Sequence, residues 1–265
     1  MKVTAMTCLC VDVFDGTEEI RPGGEALNFA AAAADRYDHI QMSLIGGIGD
    51  DNYGKSILDS ISGLKINTDC VHVIPGGATA SNRTYLTEDG DRYYLEDSWQ
   101  EGVYGSFVFS DMDKQKMKDS QLIHTNFSCP IFFEIVKLKK EYGFQLSVDF
   151  DKERDFSRLE EILPYIDYFF ISGEESLLPV LKKWSIDYKG VFIATLAEKG
   201  SVAYESGTEY KADAVKVSEV IDTTGCGDSY QAGFICSVIK DGQIKEAMEE
   251  GSRVAAETLS HIGGF

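Results

Sequence analysis

Between Gln121 and Thr195 the chain alternates short apolar runs with longer amphipathic ones, and few folds accommodate that rhythm. Gln121–Thr125, Phe144–Asp149, Tyr168–Ile171 and Gly190–Thr195 are short and rich in apolar side chains, as buried strands are. Pro130–Tyr142, Phe156–Tyr165 and Glu174–Trp184 read as the helices between them. Strands that alternate with helices at this spacing run parallel through right-handed crossovers, which places helices on both faces of one sheet. The expected fold class is therefore α/β, with a mostly parallel central sheet. A chain of 265 residues with 43% hydrophobic content can fill the core of such a sheet within one main domain, spanning 1–265. Lys2–Phe14 reads as the first buried strand, carrying Asp12 and Asp15 toward the end that faces the ligand crevice in open parallel sheets. Toward the other terminus, Ser237–Ile262 reads as two helices divided by Gly242.

The stretch richest in chemistry is Asp222-Thr223-Thr224-Gly225-Cys226-Gly227-Asp228-Ser229-Tyr230-Gln231-Ala232-Gly233-Phe234. The β-branched run Val215–Ile221 precedes it and the amphipathic run Ser229–Ile239 follows, so it reads as strand, tight loop and helix. Two glycines astride a small residue let several N–H groups converge just ahead of a helix N-terminus, which makes an anion site. Asp228 then stands in the first helical turn, where the dipole favours its charge by roughly 0.3–1 kcal/mol. Beside a bound phosphoryl group, such a carboxylate can take the proton from an attacking hydroxyl. A plain helix cap after a glycine turn is the alternative.

Taken whole, this string resembles the C-terminal signature of the ribokinase-like (PfkB) family of sugar kinases over thirteen positions, with Cys226 where the family usually has alanine. The resemblance implies an anion hole for the transferring phosphate at Gly225, Cys226 and Gly227, and a catalytic base at Asp228. It extends over nearly the whole chain. Gly23-Gly24-Glu25-Ala26-Leu27-Asn28-Phe29-Ala30 opens an alanine-rich run to about Tyr37 and resembles the family's N-terminal signature. Gly23, Gly24 and Asn28 are thereby implied to hold substrate hydroxyls, as is Asp12; a buried asparagine at an ordinary helix start is the alternative. Cys10 departs from the family here, standing where it has asparagine. Ser172-Gly173-Glu174-Glu175 falls where the family has Asn-x-x-Glu, which implies Mg²⁺ organised at Glu175, although a glutamate at a helix start also compensates the dipole. Thr195-Leu196-Ala197-Glu198-Lys199-Gly200 resembles the turn beside the nucleotide, with Ala197 in place of glycine. Thr195, Ala197, Gly200, Thr224 and Ser172 form the implied nucleotide side, and Ala247–His261 the implied wall of the adenine pocket.

Two segments admit competing readings. Gly49-Asp50-Asp51-Asn52-Tyr53-Gly54-Lys55-Ser56 satisfies the P-loop pattern, yet two carboxylates and a tyrosine fill a loop that would have to wrap amides around a polyphosphate. The same residues, extended back to Gly46, resemble a family segment that shapes the sugar pocket. Ala78–Asp97 alternates polar and apolar residues around Glu88-Asp89-Gly90, a hairpin signal, and Tyr85, Tyr93, Tyr94 and Trp99 crowd it. The resemblance implies a small β-lid, from segments near 14–22 and 76–104, which in many relatives also forms a homodimer interface. An edge hairpin packed on its own domain is the alternative.

A formal net charge of −19 argues against nucleic acid or an anionic membrane as partner, since both call for basic patches. Six scattered cysteines and four histidines show neither zinc-site nor disulfide spacing, which favours a reducing compartment such as the cytoplasm. Thr4, Thr7 and Asp12 interrupt the first apolar run, so it is not read as a signal peptide, and no run approaches the roughly 20 residues of a membrane span. The family resemblance implies ATP and Mg²⁺ as cofactors, leaves a monovalent cation open, and makes the acceptor a sugar or a sugar amine such as fructoselysine. Because Cys10, Ser172 and Ala197 each replace a family residue, a sugar or nucleotide sensor of the same fold is the other reading.

Overall fold

The structure, a computed structural model, describes every residue except Glu18, 87–91 and Tyr94, and leaves the side chains of Leu86, Arg92 and Arg158 undescribed. The chain begins with β1 (Lys2–Thr7), β2 (Cys10–Phe14), β3 (Glu19–Gly23), α1 (Glu25–Ala34), β4 (Gln41–Gly49), α2 (Asn52–Ile61) and β5 (Ile66–Ile74). Three short strands, β6 (Ala80–Leu86), β7 (Arg92–Tyr93) and β8 (Trp99–Gln100), come next. The alternating region holds α3 (Asp111–Asp119), β9 (Leu122–Asn126), α4 (Phe132–Tyr142), β10 (Gln145–Asp149), β11 (Tyr168–Ser172), α5 (Leu178–Asp187) and β12 (Val191–Thr195). A hairpin of β13 (Ser201–Glu205) and β14 (Thr208–Ala212) precedes α6 (Cys226–Asp241) and α7 (Ile244–Thr258).

Nine strands form one sheet in the order β14-β13-β12-β11-β10-β9-β1-β4-β5. Every pairing from β12 to β5 is parallel, and only the β13 and β14 pairings are antiparallel. Two-residue periodicity divides the core: in β11, Tyr168 and Phe170 enter one apolar cluster while Phe169 and Ile171 enter the other. The first cluster is closed by α1, α2, α6 and α7, the second by α3, α4 and α5. The strand order reverses between β1 and β9, so the crevice lies beyond the carboxyl ends of those strands.

A second sheet orders β3-β2-β6-β7, with β8 paired to β6. It draws on residues 10–23 and 80–100, close to the segments expected near 14–22 and 76–104. The expected hairpin turn at Glu88-Asp89-Gly90, like Tyr94, lies outside the described residues.

Three local expectations differ from the structure. The run Lys2–Phe14 is two strands in two sheets, because the fully buried Leu9 turns into the first core beside Gly46 and hands the chain over to the second sheet at Cys10. Val215–Ile221 is not a strand: the β13–β14 hairpin already covers that sheet edge, Val215, Val220 and Ile221 stay about half exposed, and the Ile221 N–H donates to the Leu259 carbonyl at 2.9 Å. Phe156–Tyr165 forms two single 3₁₀ turns, at Phe156–Arg158 and Leu163–Tyr165, and Pro164, inside the second, has no N–H with which a helix running up from Phe156 could continue.

Candidate active site

The glycine loop enters α6 through Gly225, whose φ of +69° favours glycine and where a Cβ would stand 2.6 Å from the Gly264 Cα. Asp222 braces the loop from behind. Its carboxylate accepts from the Thr224 N–H at 2.9 Å, the Thr224 hydroxyl at 2.8 Å and the Gly263 N–H at 2.8 Å. The Cys226 N–H is turned back toward the Thr223 carbonyl at 3.3 Å. Among the described residues, the N–H groups of Gly227 and Asp228 find no backbone acceptor, and the space beside the Gly227 Cα is open. An anion arriving there meets unpaired donors at the positive end of a helix. Residues 228–236 are all buried, so the start of α6 is a central helix rather than an amphipathic one.

Asp228 receives a hydrogen bond from Asn28 Nδ2 at 2.8 Å, joining the two glycine signatures across the chain. Burial pushes its carboxyl up to about 7, with Asn28 opposing the shift and Asp149 and Asp151 adding to it. Asp149, at the end of β10, is also raised by burial, against the Asp151 N–H and the Gln231 side chain that hydrogen-bond to it. A carboxylate with a proton affinity near neutrality can accept a proton from an alcohol and later release it.

Asp12 lies on β2 and accepts from the Thr84 hydroxyl at 3.1 Å. A Cβ at Gly23 would sit 3.6 Å from Asp12 Oδ2 and 3.7 Å from Asn28 Oδ1, so the bare glycine keeps the space between those oxygens clear. Gly24 is closely packed, since at φ +98° its Cα lies against the Cys8 carbonyl, which a Cβ would approach to 2.6 Å. Cys10 pairs with Gly23 in the β2–β3 ladder and is buried. Asp15 is placed away from this cluster, in an ion pair with Arg83 at 2.8 Å.

On the other side of the loop, parallel register brings Ser172 and Thr195 together at the ends of β11 and β12, their hydroxyls 3.3 Å apart. Ala197 sits at a left-handed φ of +52°, and Gly200 accepts the Leu196 N–H at 2.8 Å before the chain enters β13. Glu175 is exposed at the start of a 3₁₀ turn and pairs with Lys199 at 3.0 Å. Hard oxygen donors of this kind, reachable through water, suit Mg²⁺, which keeps several of its waters and takes one or two carboxylates. The expected adenine wall, α7, turns its buried face to α6 and the first core; it meets the glycine loop where the Ala255 carbonyl accepts from the Cys226 thiol at 3.7 Å, and the residues from Leu259 onward meet it at Ile221 and Asp222.

The P-loop-like segment is a capped strand-to-helix turn. Asp51 Oδ1 accepts from the Gly54 N–H at 2.8 Å and the Thr79 hydroxyl at 2.6 Å, and Oδ2 from the Thr79 N–H at 2.8 Å. Burial works the other way, yet the hydrogen bonds from Thr79 and Gly54 hold Asp51 below the usual carboxylate range. The carboxylates of the loop are thus satisfied by protein donors, mostly from 76–79, Asp50 included, which takes the Gly76 N–H at 3.0 Å.

Reading the chain missed Glu25, Asp149, Asp151, Asn126 and Gln231. The strand-end rule that pointed to Asp12 applies equally to Asn126 and Asp149, which close β9 and β10. Gln231 follows Asp228 by three residues, one helical turn.

Comparison with known proteins bears on the family and the fold. Residues 14–264 match the family described as pfkB family carbohydrate kinase. The chain is 29% identical over 262 residues to the fructoselysine 6-kinase of Shigella flexneri, covering 97% of this chain and 96% of that one. It is 28% identical over 272 residues to the fructosamine kinase FrlD of Bacillus subtilis, covering 100% and 93%. Among solved structures, Arabidopsis thaliana ribokinase complexed with ribose and ATP superposes with a TM-score of 0.81 at 18% identity, covering 99% of this chain and 93% of that one. A Burkholderia thailandensis nucleoside kinase in complex with inosine has a TM-score of 0.79 at 17% identity, covering 100% and 92%. The fold, the paired glycine signatures and the match along almost the whole length lead to one conclusion: the chain belongs to the pfkB family of carbohydrate kinases.

Proposed function

We propose that this sugar kinase transfers the γ-phosphate of ATP to a terminal hydroxyl of a sugar or, more specifically, of a sugar amine of the fructoselysine type. The observation that carries the reading is the Asp228 carboxylate, raised toward neutrality at the mouth of the glycine loop and oriented by Asn28. Asp228 takes the proton from the acceptor hydroxyl as that oxygen attacks phosphorus in line. The amides of Gly225, Cys226 and Gly227, with that of Asp228, stabilise the developing charge. By analogy with oxyanion holes, losing one such donor costs roughly 3–4 kcal/mol. Cys226 contributes least as a donor, since its N–H is shared with Thr223.

Asp12, Gly23, Gly24 and Asn28 form the acceptor side, and Ser172, Thr195, Ala197, Gly200 and Thr224 the nucleotide side. Thr224 acts through Asp222, to which its hydroxyl is committed. Glu175 organises Mg²⁺ through water once it exchanges its contact with Lys199. Bound Mg²⁺ supplies charge shielding at the β- and γ-phosphates. The smaller sheet serves as the lid over the acceptor, excluding the water that would otherwise hydrolyse ATP, and as the surface for a homodimer. Six free cysteines support a reducing compartment, the cytoplasm, and no described helix is long and apolar enough to cross a membrane.

ATP turnover with a panel of sugars and sugar amines tests the reading. Asp228→Asn is expected to be inactive and Lys55→Ala near normal. The reverse sensitivity would restore the P-loop reading, and tight Mg·ATP binding without turnover of any acceptor would favour a sensor of the same fold.

A further inference from the structure

We propose that Glu25 selects a protonated amine on the acceptor, so that the site prefers ketosamines, sugars carrying a secondary ammonium beside the ring, over neutral sugars. The inference rests on the sugar-kinase reading of this site.

Glu25 is the first residue of α1, directly after Gly24 and one helical turn before Asn28. Its Oε2 is buried and has no hydrogen-bond partner among the described residues. Two further acceptors in the crevice share that condition. Asn28 Oδ1 is unpartnered on a residue only 4% exposed, and its identity as the acceptor is settled because Nδ2 donates to Asp228. Asn126 Oδ1 is unpartnered on a residue only 5% exposed, at the end of β9, while the Asn126 side chain hydrogen-bonds to Tyr104. A buried acceptor left unmatched costs of the order of 1–3 kcal/mol, more when charged, so these positions call for a ligand that brings protons.

Sugar hydroxyls donate and accept; a secondary ammonium only donates, and it also carries charge. The charge matters at Glu25. The groups that act on it most are the Cys8 thiol, itself held well above its ordinary value, and the carboxyl groups of Asp149, Asp228 and Asp151, with no cation among them. Burial, followed by those neighbours, holds its carboxyl well above the usual range. A neutral hydroxyl would satisfy the hydrogen bond and leave that repulsion in place, whereas an ammonium answers both.

The test compares kcat/KM, with Mg·ATP, for 1-deoxy-1-propylamino-fructose and its neutral isostere 1-O-propyl-fructose. Wild type, Glu25→Gln and Glu25→Asp are measured side by side. Wild type is expected to favour the amine at least about tenfold. Glu25→Gln should shrink that preference at least about tenfold, through KM for the amine far more than through kcat, and Glu25→Asp should keep its direction. No preference in wild type, or a preference that survives in Glu25→Gln, overturns the proposal. The wild-type comparison needs no variant to fold, and Glu25→Asp keeps the charge in place if Glu25→Gln does not. Turnover of the ether but not the amine refutes the role of Glu25 and leaves the kinase standing. Turnover of neither, with fructose and ribose also inert, removes the sugar-kinase reading itself.

Discussion

Asp228 has to be ionised to take a proton, and burial moves its folded value from 3.8 to about 7. Phosphotransfer should therefore rise with pH through about 7 and be lost on the acid side, a limb that a kcat–pH profile would locate. The same shift bears on stability. Between about pH 4 and about pH 7 the folded chain keeps a proton that the unfolded chain releases, so stability falls as pH rises across that window and the full cost stands above it. Asp228→Asn removes the titrating group while its side-chain oxygen can still accept from Asn28. We expect the inactive variant to melt above wild type at pH 8, with the gap closing toward pH 4, as scanning calorimetry would read. A gap that widened in acid would contradict the burial account. The role proposed for Asp228 was suggested by its place after Gly-Cys-Gly; its proton affinity had no such local sign, because burial is contributed by residues distant in the chain.

Two turns show how elements use their residues. Asp51 caps α2 and ties it to Thr79, so Asp51→Ala should cost about 1–2 kcal/mol in chemical denaturation. KM for ATP should hardly move, which a P-loop would not allow. Ala197 holds a left-handed conformation that glycine adopts more readily. Replacing it with glycine should relieve strain and stabilise the fold by up to about 1 kcal/mol, net of the entropy glycine adds to the unfolded chain. A destabilised Ala197→Gly would show that the alanine methyl is packed usefully. Both turns were visible as motifs, but the pattern that suggested a P-loop could not reveal that Thr79, twenty-eight residues on, claims the Asp51 oxygens.

For the molecule as a whole, a net charge of −19 sets its surface against itself. Its thermal midpoint is expected to rise by a few degrees between about 10 and about 200 mM salt, as self-repulsion is screened; an unchanged midpoint would mean the charges are already compensated locally. The alternating strands and helices, the parallel sheet and both glycine signatures were legible along the chain, because periodicity and turn chemistry depend on near neighbours. Lys2–Phe14 and Val215–Ile221 misled for the same reason: hydropathy records that a run is apolar, not which sheet receives it or whether an edge is still vacant. Folding alone brought Asn28 against Asp228 from 200 positions away, gathered Glu25 and Asp149 around them, and excluded the water that would have kept those acids ordinary. Pairings and proton affinities of that kind belong to long-range packing, and no local stretch of residues contains them.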